Sequence, residues 1–224
     1  MTRIKICGIT RAEDACAAAR AGAHALGLNF APESPRFAGG IERARQLVAQ
    51  AGSAAHQCGP GGILWAGVFV NPSVDEVLGA VRALGLQVVQ LHGEEPAALA
   101  AQLKQRLGAQ AAVWKAFRVG AEKDLAELQS YTCDAWLVDA KCSAVRGGSG
   151  QVFDWEILKA LPRTRPLVLA GGLNPENVRE AVRRVKPDWV DTASGVEAAP
   201  GVKDRRLIER FVRAVQTADE QAPA

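Results

Sequence analysis

The sequence predicts an α/β protein with one domain, built as a closed (β/α)8 barrel of the TIM type. Eight short, β-branched apolar segments alternate strictly along the chain with eight longer segments of helical periodicity. Such alternation is typical of a parallel sheet with right-handed crossovers. The chain has 224 residues, near the small end for eight such units. We expect the barrel to occupy residues 1–217, followed by a disordered tail over residues 218–224.

The predicted elements follow one another without an interdomain linker. The predicted strands are Arg3–Cys7, Ala25–Phe30, Leu64–Val70, Val88–Leu91, Ala112–Phe117, Ala135–Asp139, Leu167–Ala170 and Trp189–Thr192. The predicted helices are roughly Arg11–Ala21, Ile41–Ala51, Val74–Leu84, Pro96–Leu107, Ala121–Gln129, Trp155–Ala160, Pro175–Val185 and Asp204–Thr217. A doubly wound open sheet is the alternative, but it usually carries G-x-G-x-x-G in its first turn. The corresponding segment reads CGITRAED, so the barrel is favoured.

The first helix has a start signal of its own. Thr10 and Glu13 form the pattern T-x-x-E ahead of an alanine-rich periodic segment. This pattern predicts a capping box, in which the threonine side chain and the glutamate side chain satisfy the first free amides of the helix. Such a cap would also fix the turn that follows Cys7.

Composition excludes several classes of function. The net charge is +3 with both signs interspersed, which gives no support for nucleic-acid binding. The five cysteines are odd in number and form no C-x-x-C pair, so a zinc site or disulfide framework is not expected; they are Cys7, Cys16, Cys58, Cys133 and Cys142. No signal peptide and no apolar run of membrane-spanning length is present. We expect a cytoplasmic protein with reduced thiols and no membrane partner.

One glycine-rich stretch, residues 51–62, separates the second helix from the third strand. It contains His56 and Cys58, but two candidate ligands are too few for a metal site. Its position on the side of the barrel opposite the usual active site indicates a flexible surface loop.

Polar and glycine residues gather where the predicted strands end. In barrels of this type the active site is built from the loops that follow the strands. Six of the eight strand ends carry a reactive group, an arginine or a glycine turn: Cys7, Arg36, His92, Asp139, Gly171 with Gly172, and Ser194 with Gly195. A barrel with a purely structural role would not need such residues to gather at the strand ends rather than at the strand starts.

The glycine turns after the seventh and eighth strands predict a phosphate site. Glycine lets the backbone approach a ligand closely, and amides at a short helix start bind anions. Gly171-Gly172 and Ser194-Gly195 occupy the two loops that most often bind phosphate in this fold. A single tight turn would explain either pair alone, but two on adjacent strands favour phosphate binding.

Cys7 and Asp139 end the first and sixth strands, which flank the two predicted phosphate loops. A thiol and a carboxylic acid on opposite sides of a pocket can move a proton between substrate atoms. A small buried hydrophobe is the alternative role for Cys7. Lys5 shares its face of the strand, so its ammonium group would favour the thiolate, and Asp191 is its expected partner. A structural ion pair and a catalytic role both remain open for Lys5.

Two further side chains could contact a substrate. Arg36 lies between Pro35 and Phe37, and this fixed setting suits bidentate recognition of a carboxylate. His92 follows the fourth strand directly. It either orients a substrate or satisfies polar atoms at the barrel mouth.

Taken together, these residues resemble the phosphoribosylanthranilate isomerases of tryptophan biosynthesis. The matching segments are KICGIT, SPRF, GVFVN, VQLHGEE, LVDAK, GGSGQVFDW, AGGLNPENV, DTASGVE and PGVKD, which span Lys5 to Asp204. Each segment alone is a weak signal, and the ordered set is specific. Two positions depart from the family: Asn29 stands where an apolar residue is usual, and Cys142 has no assigned role.

The resemblance implies an Amadori rearrangement without metal or organic cofactor. Its substrate would be N-(5-phosphoribosyl)anthranilate and its product 1-(2-carboxyphenylamino)-1-deoxyribulose 5-phosphate. By resemblance, Cys7 is the general base, Asp139 the general acid, Arg36 the ligand of the anthranilate carboxylate, and the glycine turns hold the phosphate. The segment 142–150 would close over the substrate. The chain would act as a monomer or homodimer.

Three alternatives compete with this interpretation. The histidine-pathway sugar isomerase uses an aspartate where Cys7 stands, and indole-glycerol-phosphate synthase needs further N-terminal sequence and a lysine acid. A barrel that binds sugar phosphates without catalysis would not need both Cys7 and Asp139.

Overall fold

The computed structural model describes residues 1–55, 62–140 and 155–220. Within them, eight parallel strands close into a barrel in the order β1 to β8. The strands are β1 Arg3–Ile6, β2 Ala25–Asn29, β3 Leu64–Phe69, β4 Val88–Leu91, β5 Ala112–Val119, β6 Ala135–Ala140, β7 Leu167–Ala170 and β8 Trp189–Thr192. Closure is completed by β1 pairing with β8, where Lys5 lies opposite Asp191. The predicted (β/α)8 barrel is confirmed, and the open-sheet alternative is wrong.

Helices cover the outside of the barrel. They are α1 Ala12–Ala21, α2 Gly40–Ala55, α3 Val74–Leu84, α4 Ala97–Leu107, α5 Leu125–Leu128, α6 Val178–Val185 and α7 Arg205–Glu220. The predicted helix after the fifth strand is a 3-10 turn, Glu122–Asp124, followed by the single turn α5. The predicted helix at Trp155–Ala160 is entirely 3-10. These short elements still bury Leu125, Leu128 and Trp155, so the covering layer is maintained.

The first helix does not begin with a capping box. Its N-cap is Arg11, which makes no side-chain cap hydrogen bond. The hydroxyl of Thr10 instead donates to the carbonyl oxygen of Gly201 at 2.5 Å, and Glu13 pairs with Arg11 at 2.9 Å. The capping-box prediction is therefore wrong, because a contact with a distant turn uses the hydroxyl that the helix start would have needed.

The last helix is longer than predicted. Helix α7 continues through Ala218, which is buried, to Glu220. Asp219 accepts hydrogen bonds from the amide and hydroxyl of Thr2, at 2.6 and 2.9 Å. These bonds connect the end of α7 to the start of β1. Residues 221–224, at the end of the predicted tail, lie outside the described residues.

The core has two layers. The larger lies between the strands and the surrounding helices. The smaller fills the barrel itself and consists mainly of Ala25, Ala66, Val88, Trp114, Ala135, Leu137, Val168 and Trp189. In it the rings of Trp114 and Trp189 meet edge to face with centroids 5.2 Å apart. These side chains fill the lower part of the barrel, and the strand ends on its other side are where ligands bind in this fold.

A buried ion pair forms the next layer of the barrel interior. Nζ of Lys5 lies 2.9 Å from Oδ1 of Asp191, with the lysine side chain 0% exposed. This confirms the predicted partner of Lys5.

Among the helices of the described residues, none is both long and apolar enough to span a bilayer.

Candidate active site

The predicted site residues converge on one cavity. It has a volume of about 280 Å³ and lies at the end of the barrel where the strands terminate. Seven of the eight predicted residues line it: Cys7, Arg36, His92, Asp139, Gly171, Gly172 and Ser194. A neighbouring cavity of about 820 Å³ shares His92 and Asp139 with it and extends over the ends of β4 and β5.

Two features place Cys7: it follows the end of β1, and a glycine in β2 leaves space for its side chain. Its amide donates to the carbonyl oxygen of Thr192 at 2.8 Å, which carries the β1–β8 ladder one residue past the strand. Gly27, on the neighbouring strand, leaves the space that the thiol occupies, because a Cβ there would lie 2.7 Å from Sγ of Cys7. The half-buried thiol therefore reaches the cavity only because residue 27 has no side chain.

The electrostatics of Cys7 differ from the prediction made from Lys5 alone. Burial raises the pKa of the Cys7 thiol, and the neighbouring Asp191 carboxylate raises it further. Lys5 acts in the opposite direction but does not prevail. For Lys5 itself, burial lowers the pKa, yet the attraction of Asp191 and Cys7 outweighs burial and leaves it raised. The site therefore favours the neutral thiol more than a free cysteine does, and the charge of Lys5 is largely engaged by Asp191.

This gives a prediction for thiol reactivity. Because only the thiolate is alkylated, the raised pKa of Cys7 means that iodoacetamide labels it slowly at neutral pH. Labelling should accelerate with a midpoint above about 8.5, the ordinary pKa of a free cysteine. Mass spectrometry of the peptide that contains Cys7, followed from pH 6 to pH 10, measures this. A midpoint below the ordinary value would show that Lys5 prevails over burial.

Asp139 and His92 meet across the mouth of the cavity. Nε2 of His92 lies 3.4 Å from Oδ2 of Asp139. On its other side, Nδ1 of His92 lies 2.8 Å from Nε2 of Gln90. With the Gln90 amide oriented so that its nitrogen donates to Nδ1, the ring N–H of His92 lies on Nε2 and faces Asp139. This contact occupies Oδ2, and among the described residues none bonds Oδ1 of Asp139.

Arg36 is already paired. Its Nε and Nη2 bond the two carboxylate oxygens of Glu197 at 2.8 and 2.7 Å. The loop that carries it is held by Ser34, whose hydroxyl accepts from the Arg36 amide and from Nδ2 of Asn29, both at 3.1 Å. Asn29 thus lines the cavity and supports this loop. Within the described residues, Nη1 of Arg36 forms no hydrogen bond.

The glycine loops lie against each other. Gly171 and Gly172 have φ of 88° and 67°, the left-handed region that favours glycine. Asn177 donates to the Gly172 carbonyl oxygen at 3.0 Å and fixes the turn. Gly195 does not line the cavity. A Cβ there would lie 2.0 Å from the carbonyl oxygen of Leu173, so Gly195 allows the two loops to pack.

A substitution of Gly195 tests this packing. We expect Gly195→Ala to separate the loops, because the new Cβ would meet the rigid backbone of Leu173, and to destabilise the protein by about 1–3 kcal/mol. The matched control is Gly79→Ala, in the middle of α3 with open space around the position. Since alanine favours helices, the control should gain up to about 1 kcal/mol. Equal stability of both variants in urea denaturation would contradict the packing role.

Sequence reasoning missed several residues that build this site. Gln90, Gly27 and Glu197 are in contact with His92, Cys7 and Arg36 respectively. Glu197 and Lys203 belong to the segments SGVE and PGVKD, so a signal existed, but only the fold shows what they contact. No group of three or more metal-ligating side chains occurs within the described ranges.

The sequence model of one protein family matches residues 4–214, and its description is N-(5'-phosphoribosyl)anthranilate (PRA) isomerase. The chain belongs to this family. Among its relatives, the N-(5'-phosphoribosyl)anthranilate isomerase of Geobacter sp. (strain M21) is 43% identical over 212 residues, which cover 95% of this chain and 97% of that protein. Members of the family are isomerases of tryptophan biosynthesis, and this chain is one of them.

Two solved phosphoribosylanthranilate isomerases share the fold. The enzyme of Thermotoga maritima is 40% identical with a TM-score of 0.82, covering 97% of this chain and 100% of that chain. A second structure is a complex with reduced 1-(o-carboxyphenylamino)-1-deoxyribulose 5-phosphate. It is 38% identical with a TM-score of 0.80, and covers 97% of this chain and 100% of that chain.

Proposed function

We propose that the chain converts N-(5-phosphoribosyl)anthranilate to 1-(2-carboxyphenylamino)-1-deoxyribulose 5-phosphate, with Cys7 as general base and Asp139 as general acid. The observation that carries the proposal is their convergence: a thiol and a carboxyl group line one cavity together with an arginine and the paired glycine loops. This set matches a substrate that has a phosphate at one end and a benzoate at the other. The complex of a related isomerase with the reduced product supports the substrate class.

The first step is ring opening. Asp139 gives its proton to the ring oxygen of the furanose, and the bond between that oxygen and C1 breaks as the nitrogen lone pair forms a Schiff base. The His92 N–H bonds Oδ2 of Asp139, so the transferable proton resides on Oδ1. The same N–H stabilises the carboxylate that remains after transfer.

The second step is proton removal from carbon. The Cys7 thiolate takes the proton from C2, and the electron pair moves towards the Schiff-base nitrogen to give an enolamine. Loss of the C2 hydroxyl proton and gain of a proton at C1 then yield the ketone. Cys7 must first lose its thiol proton to solvent. Because burial raises the pKa of this thiol, the thiolate is less populated than that of a free cysteine but is the stronger base, which suits removal of a carbon-bound proton.

Binding is divided between the two ends of the cavity. The loops at Gly171-Gly172 and Ser194-Gly195 hold the phosphate, with Gly195 acting through loop packing rather than by direct contact. Arg36 holds the anthranilate carboxylate. The segment 142–150, proposed as a cover, lies outside the described residues. The protein acts in the cytoplasm as a monomer or homodimer, without metal or organic cofactor.

Product identification tests the proposal. Phosphoribosylanthranilate is generated from anthranilate and phosphoribosyl pyrophosphate by a phosphoribosyltransferase, the protein is added, and the product is examined by NMR. We expect the ribose C2 methine to be replaced by a ketone carbon and C1 to become a methylene. Unchanged sugar signals, with the reduced product still bound by the protein, would instead favour the non-catalytic sugar-phosphate-binding barrel.

A further inference from the structure

Arg36 presents a problem of charge. Its guanidinium group forms a bidentate ion pair with Glu197, whose side chain is only 5% exposed. An arginine that is neutralised in this way has little net attraction for a second carboxylate. Recognition of the substrate's benzoate by Arg36 therefore needs a further positive charge.

Lys203 supplies that charge. Its side chain is 0% exposed, and its Nζ lies 2.8 Å from Oε1 of Glu197 and 3.0 Å from the carbonyl oxygen of Ala193. The three side chains form a cluster with two cations and one anion, so its formal charge is +1. Without Lys203, the pair of Arg36 and Glu197 would be neutral.

We propose that Lys203 is a positioning residue for carboxylate recognition: by offsetting the charge of Glu197, it leaves Arg36 both fixed in direction and net attractive to the substrate carboxylate. The proposal rests on the proposed function. Glu197 aligns the guanidinium fork through Nε and Nη2, which leaves Nη1 for the ligand. With Lys203 present, Glu197 can align Arg36 while the cluster keeps the net positive charge that attracts the carboxylate of the ligand.

The ionisation of the cluster agrees with this role. Burial raises the pKa of Glu197, but the hydrogen bonds from Arg36 and Lys203 outweigh burial, so its pKa is lowered and the carboxylate is charged. Burial lowers the pKa of Lys203, and Glu197 opposes this shift without cancelling it, so the pKa of Lys203 stays below its ordinary value. The Gly201 amide adds a third donor to Oε1 of Glu197 at 3.3 Å. The carboxylate is thus held by three separate groups.

The cluster also faces the base. Burial is the main influence that raises the pKa of Cys7, and Lys203 is one of the cations that act against it. Asp14 approaches from α1, but its contact is with the backbone amide of Lys203, at 3.1 Å. Asp14 is itself paired with Arg11. The charge that reaches the cavity from this side is therefore the +1 of the three-residue cluster.

Two ligands that differ only in the benzoate carboxylate measure the contribution of that carboxylate to binding. The first is the reduced product, which carries the benzoate carboxylate; the second is the same molecule with a phenyl ring in place of the benzoate. Both are made by reduction chemistry on sugar phosphates and need no turnover. Binding of each is measured by calorimetry for the wild type, Lys203→Met, Glu197→Gln and the double variant.

For Lys203→Met we expect binding of the carboxylate ligand to weaken about tenfold, the value of one charge-assisted interaction. Binding of the phenyl ligand should change by less than about twofold. The double variant has no buried lone charge and regains the +1 charge through Arg36, so it should bind the carboxylate ligand within about threefold of wild type. Glu197→Gln keeps one side-chain oxygen to accept from Arg36 and leaves two cations, so it should bind the carboxylate ligand at least as tightly as wild type.

Two results would overturn the proposal. Equal weakening for both ligands would show that Lys203 only supports the fold, and a double variant as weak as Lys203→Met would show that charge is not its contribution. If Lys203→Met does not fold, the comparison of Glu197→Gln with the double variant decides: the double variant must bind the carboxylate ligand within about threefold of wild type. A wild type that binds both ligands with a preference for the carboxylate but does not turn over substrate would contradict the proposed function and leave this inference standing.

Discussion

Cys7→Ser and Asp139→Asn should each lower kcat by about 10²- to 10⁴-fold, the usual contribution of a general base or acid. Serine keeps the size of the side chain but is a far weaker acid than the thiol, so it cannot form the base. Asparagine keeps the oxygen that accepts from His92 but has no proton to give to the ring oxygen. Both variants should bind the reduced product almost as well as wild type, because neither change alters the glycine loops or Arg36.

Matched controls exist for both variants. Cys16→Ser changes a half-buried cysteine of α1, and Asp75→Asn changes an exposed aspartate in the first turn of α3. Both controls should keep wild-type turnover. Near-wild-type turnover in Cys7→Ser and in Asp139→Asn would exclude the acid–base mechanism and favour a barrel that only binds sugar phosphates.

Asp191→Asn should destabilise the protein by about 3–5 kcal/mol, because removal of one partner leaves a buried, uncompensated charge. The charge is that of Lys5, which is fully buried and has Asp191 as its ion-pair partner at 2.9 Å. The pKa of folded Lys5 is raised, so the stabilisation is fully present below the unfolded value, about 10.4, and is lost as pH rises through the folded value. Urea denaturation at pH 7.5 therefore measures the whole effect.

The double variant Lys5→Met with Asp191→Leu shows whether the loss of stability comes from the unpaired charge of Lys5 or from the loss of the ion pair itself. Replacing a buried ion pair by apolar side chains of similar volume is often neutral or stabilising, so this variant should recover most of the lost stability. As a surface comparison, Glu209→Gln breaks the exposed pair with Arg205 and should cost less than about 1 kcal/mol. A loss below about 1 kcal/mol for Asp191→Asn would show that water or another group compensates Lys5.

Most of the fold could be predicted because alternation of strands and helices is a local signal. The bounds of β4, β7, β8 and α3 agree with the predicted ranges. The differences arise where contacts with residues distant in sequence determine the bounds, the type or the cap of an element. The fifth strand extends to Val119, which is buried, and the helix at Trp155–Ala160 is 3-10. The cap at Thr10 is lost to a contact with Gly201, 191 residues away in sequence.

The site was predictable to the extent that the fold places it. In a parallel barrel all strand ends meet at one face, so residues as distant as Cys7 and Asp139 could be expected in one cavity, and they are there. Pairings across the barrel mouth have no local signal. Glu197 lies 161 residues from Arg36, and neither this contact nor the charge of Lys203 follows from alternation or spacing.

The pKa of Cys7 shows the same limit. The strand period placed Lys5 on the same face as Cys7, and from that alone a lowered thiol pKa was expected. Burial raises the thiol pKa most, and the carboxylate of Asp191, although expected beside Lys5, raises it further, so that together they prevail over Lys5. Sequence spacing reports which groups are neighbours, but the sign of a shift depends on all of them together.

The central claim is that this cavity isomerises phosphoribosylanthranilate through Cys7. The most direct measurement is the loss of phosphoribosylanthranilate fluorescence after addition of purified protein, with the Cys7→Ser variant as control. We expect rapid loss with the wild type and, with the variant, loss no faster than the uncatalysed decay of the substrate. Loss at equal rates with both proteins, or at the uncatalysed rate with both, would contradict it.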